Sequence, residues 1–592
     1  MKISNLDWSI ILLFLVSFVF IGLLNTKKSG ESSKEFFLSG RKMPWWLLGI
    51  SMVATTFSAD TPNLVTNIVR VDGISGNWQW WAFLITGMMT VFFYAKLWRR
   101  SEVLTDLEFY ELRYSGSEAK FLRAFRSIYL GVFFNVMIMA TVCLAGIKIG
   151  GILLGLSPFE CVFYSSLITV TYSSLGGLRS VIITDLIQFF VAMVGSIWAC
   201  IYILNLDDIG GLDNLIIHQN ITDKLSFFPD TDNYEDLVTL FIIPIAVQWW
   251  AVWYPGAEPG GGGYIAQRML SAKDEKNAVL ATLLFNVAHY AIRPWPWIII
   301  ALSSLVIYPS LTDISNAFPG IDKSIIGNDI AYPAMLSFLP SGLLGLVLAS
   351  LIAAFMSTIS SHLNWGASYI SIDFYKRFVK VNATEKEVVL VGRISTVLLM
   401  FLAGVVALEL SDALNAFQIL LQIGAGTGSI FLLRWFWWRV NAYSEITGMI
   451  VSFLIAIYFQ WFHSELTGIE LLSHEKLLWS IFLTTFTWIF VTFLTKPTDN
   501  KILIKFYNKI KPYGIGWDGF RKINNIKNFT KSHKSPINDL YLMFLGILAI
   551  YFFLFGLGYI LFNNILTGSI MIIISLISSF FANIIMKNTL KN

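Results

Sequence analysis

Charge is scarce in this chain: Asp, Glu, Lys and Arg make up 14% of its 592 residues, against 56% hydrophobic and 15% aromatic. A soluble domain carries about a quarter charged residues, so an ordinary water-facing surface is excluded. Cysteine is scarcer still. The three present, Cys143, Cys161 and Cys200, fall inside apolar runs, and the six histidines lack metal-ligand spacing, which excludes a disulfide framework and a structural metal site. No GxxxxGK[ST] segment occurs, so the chain has no part built to draw energy from ATP. No nucleophile, base and orienting group come together, so an enzyme is not expected and no cofactor is called for. The net charge of +4 discriminates nothing.

Apolar runs are what the chain has in excess, and mean hydropathy is +0.65. Runs of about 20 residues recur from end to end, and in lipid only a helix satisfies their backbone groups. The reading is an all-α polytopic membrane protein of about fifteen spans. They are expected near 7-25, 44-69, 78-97, 123-150, 157-175, 180-203, 237-262, 276-308, 333-364, 387-410, 414-436, 442-462, 476-495, 538-562 and 565-586. The first is too long for a cleaved signal peptide and has no small-residue cleavage site.

Alternate loops are basic: Lys27, Lys28, Lys34, Arg41 and Lys42; Lys96, Arg99 and Arg100; Arg268 and Lys273; Lys376, Arg377 and Lys380. These loops are expected in the cytoplasm, with the N-terminus outside and the C-terminus inside. The stretch 205–236 is acidic, with Lys224 its only Lys or Arg, and fits the outer side. The basic stretch 497-537 reads as a cytoplasmic loop rather than a nucleic-acid site, with lipid head groups as its other natural neighbour.

Two spans are interrupted. Ser58-Ala59-Asp60-Thr61-Pro62-Asn63 puts a carboxylate, hydroxyls and a helix-breaking proline near mid-membrane depth, and Pro255 to Gly263 cannot form a continuous helix. Backbone freed there must line a cavity or bind something, and paired breaks five spans apart point to an inverted-repeat transporter with its ligands at the midplane. The competing reading is two kinked helices packed on their neighbours.

Polar residues in such helices need partners or tasks. Ser357, Thr358, Ser360 and Ser361 lie within five residues of one apolar helix. Ser357, Ser360 and Ser361 share a face by i+3 and i+4 spacing, as do Ala354, Ser357 and Thr358. They are either a hard-cation site or hydroxyls bonded back to their own helix. Asp185 is either an interfacial carboxylate paired to Arg179 or an ion ligand. Glu258 and Arg293 either pair with each other or face a solute, and His289 stands one turn before Arg293.

Several motifs resemble the sodium/solute symporter family, which includes the bacterial sodium/galactose, sodium/proline and sodium/sialic acid carriers. They are Glu35 to Arg41 with Pro44-Trp45-Trp46; Ser174-Leu175-Gly176-Gly177-Leu178 with Thr184-Asp185 and Gln188; Gln267-Arg268 with Ala272-Lys273; and Ala353 to Asn364 with Asp373, Tyr375 and Lys376. The resemblance implies a LeuT-type fold, a 5+5 inverted repeat preceded by one helix, working by alternating access on the sodium gradient. The implied domains are 1-42, an extra helix and loop; 43-203, the first five-helix repeat; 204-236, an extracellular loop; 237-437, the second repeat; and 438-592, four added helices.

The resemblance also implies ligands. A first sodium site matches Ala54 and Phe57 through carbonyls, and Ala354, Ser357 and Thr358. A second matches Asp185, Ser360 and Ser361. Solute contacts and gates match Asp60, Thr61, Trp253, Tyr254, Glu258, Gly262, His289, Arg293, Gln418 and Gln422. The segment between Trp253-Tyr254 and Gln267 is about four residues longer than the family's, which places a sugar in doubt. The expected function is sodium-coupled import of a small organic solute, a sugar, sugar acid, amino acid or carboxylate, across the plasma membrane, a bacterial inner membrane. Its partners are then the solute, sodium and the lipid bilayer, with no nucleic acid; the alternatives are a proton-coupled carrier or a transporter-like sensor.

Overall fold

The computed structural model describes residues 3–252, 259–410, 422–424, 426–512, 514–526 and 536–590. Among them every regular element is helical, and eleven helices are long and apolar enough to cross a membrane. The elements that matter below are α1 (Asn5–Ser29), α2 (Trp45–Thr56), α3 (Asp60–Asp72), α4 (Ile74–Ser101), α5 (Gly116–Leu154), α6 (Pro158–Leu204), α7 (Gly263–Ser271), α8 (Glu275–Ile307), α9 (Leu343–Val379) and α10 (Glu385–Glu409). After them come α11 (Gly428–Phe436), α12 (Ala442–Thr467), α13 (Ser473–Leu494), α14 (Asn500–Ile510), α15 (Pro536–Leu561) and α16 (Ile565–Leu590).

Hydropathy placed most of these, and the breaks follow local chemistry. α6 covers two expected spans, and Gly177 divides it with φ +57, where a side chain would also strike the Phe36 carbonyl. The expected span 333-364 begins later, at Leu343, because Pro340 and a left-handed Gly342 (φ +85) separate it from the short helix Ala331–Leu336. The start of α9 is capped from a distance. The buried Asp7 of α1 accepts from the amides of Gly342 at 2.7 Å and Gly345 at 2.8 Å, placing a carboxylate on the positive end of that helix.

α9 is the central helix: from Ala353 to Tyr369 every residue is buried. It packs on α6, α10, α1 and α5, while α2 packs on α8 and α6. α15 and α16 form a hairpin at the edge, and α16 leaves one side open, with Leu576 and Phe580 exposed as lipid-facing residues should be.

An ionic knot ties α5 to the far end of α9. Arg123 donates to Asp373 at 2.7 Å and to Glu111 at 2.6 Å, and Arg377 donates to Glu111 at 2.8 Å. Burial raises the Glu111 carboxyl, but hydrogen bonds from Arg377 and Arg123 outweigh it and hold the group below its usual range. A depressed carboxyl adds stability that is complete above its unfolded value and is lost as pH falls through the folded one. Melting temperature between about pH 5 and about pH 3 is therefore expected to fall less in Glu111→Gln than in the wild type. Parallel curves would remove Glu111 from the acid response.

The stretch 497-537, expected as a loop, contains a helix. α14 buries Leu503, Phe506, Tyr507 and Ile510, an i, i+3, i+4, i+7 stripe, and turns Lys501 and Lys505 outward.

Candidate functional site

α2 ends at Thr56 because Phe57 leaves helical geometry, with ψ 79, and its amide turns back to the carbonyls of Val53 and Ala54 at 2.8 and 3.2 Å. The chain resumes as α3 at Asp60. α9 runs beside the break, where the Thr358 hydroxyl donates to the Thr55 carbonyl at 2.8 Å. The junction gathers Ala54, Phe57 and Thr358, all buried, with Ala354 one turn away on α9. These are four of the five residues expected in the first ion set. The fifth, Ser357, turns to Asp185, donating to Oδ1 at 2.6 Å. A hydroxyl, the backbone carbonyls at the end of α2 and a nearby carboxylate form an oxygen-rich group of the kind a small hard cation prefers.

A cavity of about 1290 Å³, counting its open mouth, lies against this junction and reaches from Thr358 past the α2–α3 break to Asp329. Its polar lining includes Asp60, Thr61, Asn63, Asn67, His289 and Arg293. Both amide atoms of Asn63, Ser58 Oγ, Asp60 Oδ1 and His289 Nδ1 are buried with no protein partner. Arg293 lies over the rings of Phe57 and Trp297 at 5.7 and 5.0 Å, and its Nη1 donates to the Val53 carbonyl at 3.4 Å. One wall is aromatic, with Trp80 and Tyr290 stacked at 5.9 Å. At the far end Asp329 accepts from Lys148 at 2.7 Å.

Asp185 is wholly buried, and the expected alternative of an interfacial pair with Arg179 does not hold. Its Oδ2 accepts from Ser51 Oγ at 2.5 Å and lies 3.7 Å from Arg268 Nη2. Arg268 is the larger correction. It was expected in a basic loop, yet it sits within α7 at 0% exposure because that helix dips into the protein after the glycine run. Its Nη2 donates to Ser361 at 2.6 Å and to Thr55 Oγ1 at 3.3 Å, and its Nε to Ser51 at 3.2 Å. Sequence reasoning missed Ser51 and Thr55 as well. Both sit on α2 at i, i+4 spacing, a hydroxyl pair on one face that could have been read.

The other expected residues divide three ways. Ser360 bonds back to the Ser357 carbonyl at 3.1 Å, the fate of many membrane serines. Gly262 caps α7, and Gln422 is buried with its amide nitrogen unpartnered; neither is among the residues lining the cavity. Trp253, Tyr254, Glu258 and Gln418 lie outside the described residues, and so does any pairing of Glu258 with Arg293.

The model of the Sodium:solute symporter family matches residues 36–452. The chain belongs to that family. The sodium/glucose cotransporter of Vibrio parahaemolyticus is 25% identical over 475 residues, covering 78% of this chain and 86% of that protein. Sodium/glucose cotransporter 1 of Oryctolagus cuniculus is also 25% identical, covering 76% and 71%, and the human sodium/myo-inositol cotransporter 2 is 24% identical, covering 76% and 69%. Among solved structures, the outward-open state of a Na+-coupled sialic acid symporter superposes with a TM-score of 0.67 at 20% identity, over 84% of this chain and all of that one, and so shares its fold. This symporter is thus a multi-pass membrane protein that couples transport to sodium, and not an enzyme. The motifs that carried the resemblance fall almost entirely within the matched residues, with only Glu35 just before them.

Proposed function

We propose that the protein imports a polyhydroxylated solute, a sugar or cyclic polyol, together with sodium, by alternating access across a bacterial plasma membrane. The observation that carries this is the cavity beside the α2–α9 junction. Unpartnered acceptors and donors on Asp60, Asn63 and His289 suit a ring of hydroxyls, and the Trp80–Tyr290 wall suits its apolar face. The names of the relatives, glucose and myo-inositol carriers, favour the same class.

Sodium is assigned to Ala54, Phe57, Ala354, Ser357 and Thr358, because they link the break in α2–α3 to α9. An ion there favours one arrangement of the two helices and completes the wall of the solute cavity, so each ligand raises affinity for the other. The electrical drive is about 2.3 kcal/mol per sodium per 100 mV. The eleven uninterrupted spans become fifteen on adding α2 with α3, the first half of α6, and the expected spans 237-262 and 414-436, which lie partly outside the described residues. Spans two to eleven then make the inverted repeats 43-203 and 237-437, between the opening segment 1-42, the outer loop 204-236 and the four helices of 438-592. The remaining basic loops favour an N-terminus outside and a C-terminus inside.

The test is thermal stability of the purified protein in sodium, lithium, potassium and choline, each with hexoses, inositols, sugar acids, amino acids and carboxylates. A sodium-specific shift enlarged by hexoses or inositols is expected. Enlargement by amino acids alone would overturn the solute class, and no sodium response in folded protein would overturn the ion site.

A further inference from the structure

The segment 499–523 lies beyond the residues that match the family, and its two ends belong to different groups of helices. It follows α13, whose Thr492 bonds Ser444 of α12 at 2.6 Å, and α12 is held to the start of α5 by Tyr443 on Glu118 at 2.5 Å and by Arg126 on Glu445 at 3.3 Å. It leads on to α15, which is fixed to α4 by Lys96 on Asp539 at 2.6 Å and by the Tyr551 hydroxyl on the Trp81 carbonyl at 2.8 Å. We propose that this segment is a latch: docked, it ties the α4–α8 group to the α5–α9–α11 group on the cytoplasmic side and holds the inner path closed, and its release accompanies opening to the inside.

Each group is held together at this end by its own polar contacts. In the first, Arg100 of α4 donates twice to Glu275 at the start of α8, at 3.0 and 2.8 Å. In the second, Arg123 joins α5 to Asp373 of α9, and Arg434 of α11 lies 3.8 Å from Glu445 of α12. The seam between the groups is Trp98 of α4 against Trp435 of α11, edge to face at 4.9 Å, and the segment lies across it. Toward α11, Phe506 packs on Phe109 and Trp435 at 5.9 and 6.1 Å, the Trp517 indole donates to the Trp435 carbonyl at 2.9 Å, and the Trp438 amide donates to the Gly516 carbonyl at 3.2 Å. Toward α4, Arg100 Nη1 donates to the Ile510 carbonyl at 2.7 Å, and Lys509 lies 3.7 Å from Glu102 just after that helix. Ile510 is the last residue of α14, so the guanidinium sits at the negative end of the helix, where a cation is favoured. Arg100 thus serves one partner within its group and one across the seam.

Rocking of one helical group against the other requires the inner ends of α4 and α11 to part. While the segment is docked they cannot do so without breaking the Arg100 contact or lifting the aromatic side. The Arg100 side is the weaker, one charge-assisted hydrogen bond and a partly exposed ion pair against a buried aromatic cluster. Parting breaks it first, and α14 stays with α11. Further in, the Asp106 carboxylate accepts from the Tyr369 hydroxyl at 2.6 Å and from the Gly263 amide at 2.9 Å, so the path below the cavity is shut in the same arrangement. The latch rests on the alternating access proposed above.

The experiment uses a reporter cysteine on the cavity wall, Thr141→Cys, in right-side-out and inside-out membrane vesicles treated with a membrane-impermeant maleimide. The three native cysteines are buried, and protein without the reporter gives the background. Arg100→Gln is expected to speed labelling from the inner side about 5-fold and to slow it from the outer side, the population shift that losing one partly exposed, charge-assisted hydrogen bond across the seam gives. Trp517→Ala, which weakens the other attachment, is expected to do the same. Glu275→Gln breaks the pair inside the first group but leaves the Ile510 contact, and is expected to keep the wild-type rates. Folded Arg100→Gln and Trp517→Ala with wild-type rates from both sides would overturn the latch, and so would a Glu275→Gln as fast as Arg100→Gln. A reporter reached from one side only, in sodium and in choline and in every variant, would overturn alternating access instead.

Discussion

Thr358→Ala is expected to raise the sodium concentration for half-maximal stabilisation by about 10- to 100-fold, equivalent to about 1.4–2.7 kcal/mol of ion binding. The hydroxyl bridges α9 to the end of α2, donating to the Thr55 carbonyl at 2.8 Å. Alanine removes the proposed ion ligand and the hydrogen bond that ties the Thr55 carbonyl of α2 to α9. The fold loses little, because Thr55 keeps its own hydroxyl partners, Ser361 and Arg268. Ser371→Ala is the control: it lies on the same helix two turns beyond Asn364, and its hydroxyl returns to the Ala367 carbonyl at 2.7 Å. Sodium titrations of the melting temperature separate the two, since stabilisation grows with ligand over its dissociation constant. Equal midpoints for wild type, Thr358→Ala and Ser371→Ala would remove the junction as the sodium site.

Much of this architecture was legible because membrane burial leaves a coarse signal. Twenty apolar residues make a span whatever packs against them, so the helices and the break after Phe57 could be placed from Pro62 and the polar run around it. Their ends were less legible where one residue decides: Gly342 and Pro340 delay α9 by ten residues relative to the expected start at 333. Arg268 was misread for a reason that generalises. Counting basic residues as loop charges assumes that arginine near a span end reaches water, and an arginine whose counter-ion is 83 residues away in the chain, as Asp185 is, gives no local sign of it. Lys148 and Asp329 escaped notice in the same way, as a tertiary pair 181 residues apart. The stripe of α14 was readable in principle, but the lysines between its apolar positions and the polarity of its surroundings masked a helix with the period of a docked one.

That docked helix carries the largest expected loss of stability. Trp517→Ala is expected to destabilise the segment around α14 by about 3–5 kcal/mol, the usual cost of emptying a buried aromatic site. The indole is wholly buried and donates to the Trp435 carbonyl at 2.9 Å. It stacks on Phe506 at 5.8 Å with 15° between the rings, and the Arg113 guanidinium lies 5.2 Å from its centre. Arg113 in turn donates to the carbonyls of Arg434 and Trp437 at the end of α11, so the tryptophan closes a box whose other sides are the helix Glu108–Arg113 and α11. Trp517→Phe keeps the stack and loses one hydrogen bond, so its expected cost is nearer 1 kcal/mol. α14 is docked by Phe506, which packs on the rings of Phe109 and Trp435 at 5.9 and 6.1 Å, and by Arg100, which donates to the Ile510 carbonyl at 2.7 Å; the alanine weakens the first contact and leaves the second. Limited proteolysis of vesicle-inserted protein reads this directly. Cleavage within 499–523 should rise at least 10-fold in Trp517→Ala while the spanning helices stay protected, in proportion to the population of the undocked state. Unchanged cleavage in a variant that still folds would mean that the segment is held by the Arg100 and Arg113 contacts without the tryptophan.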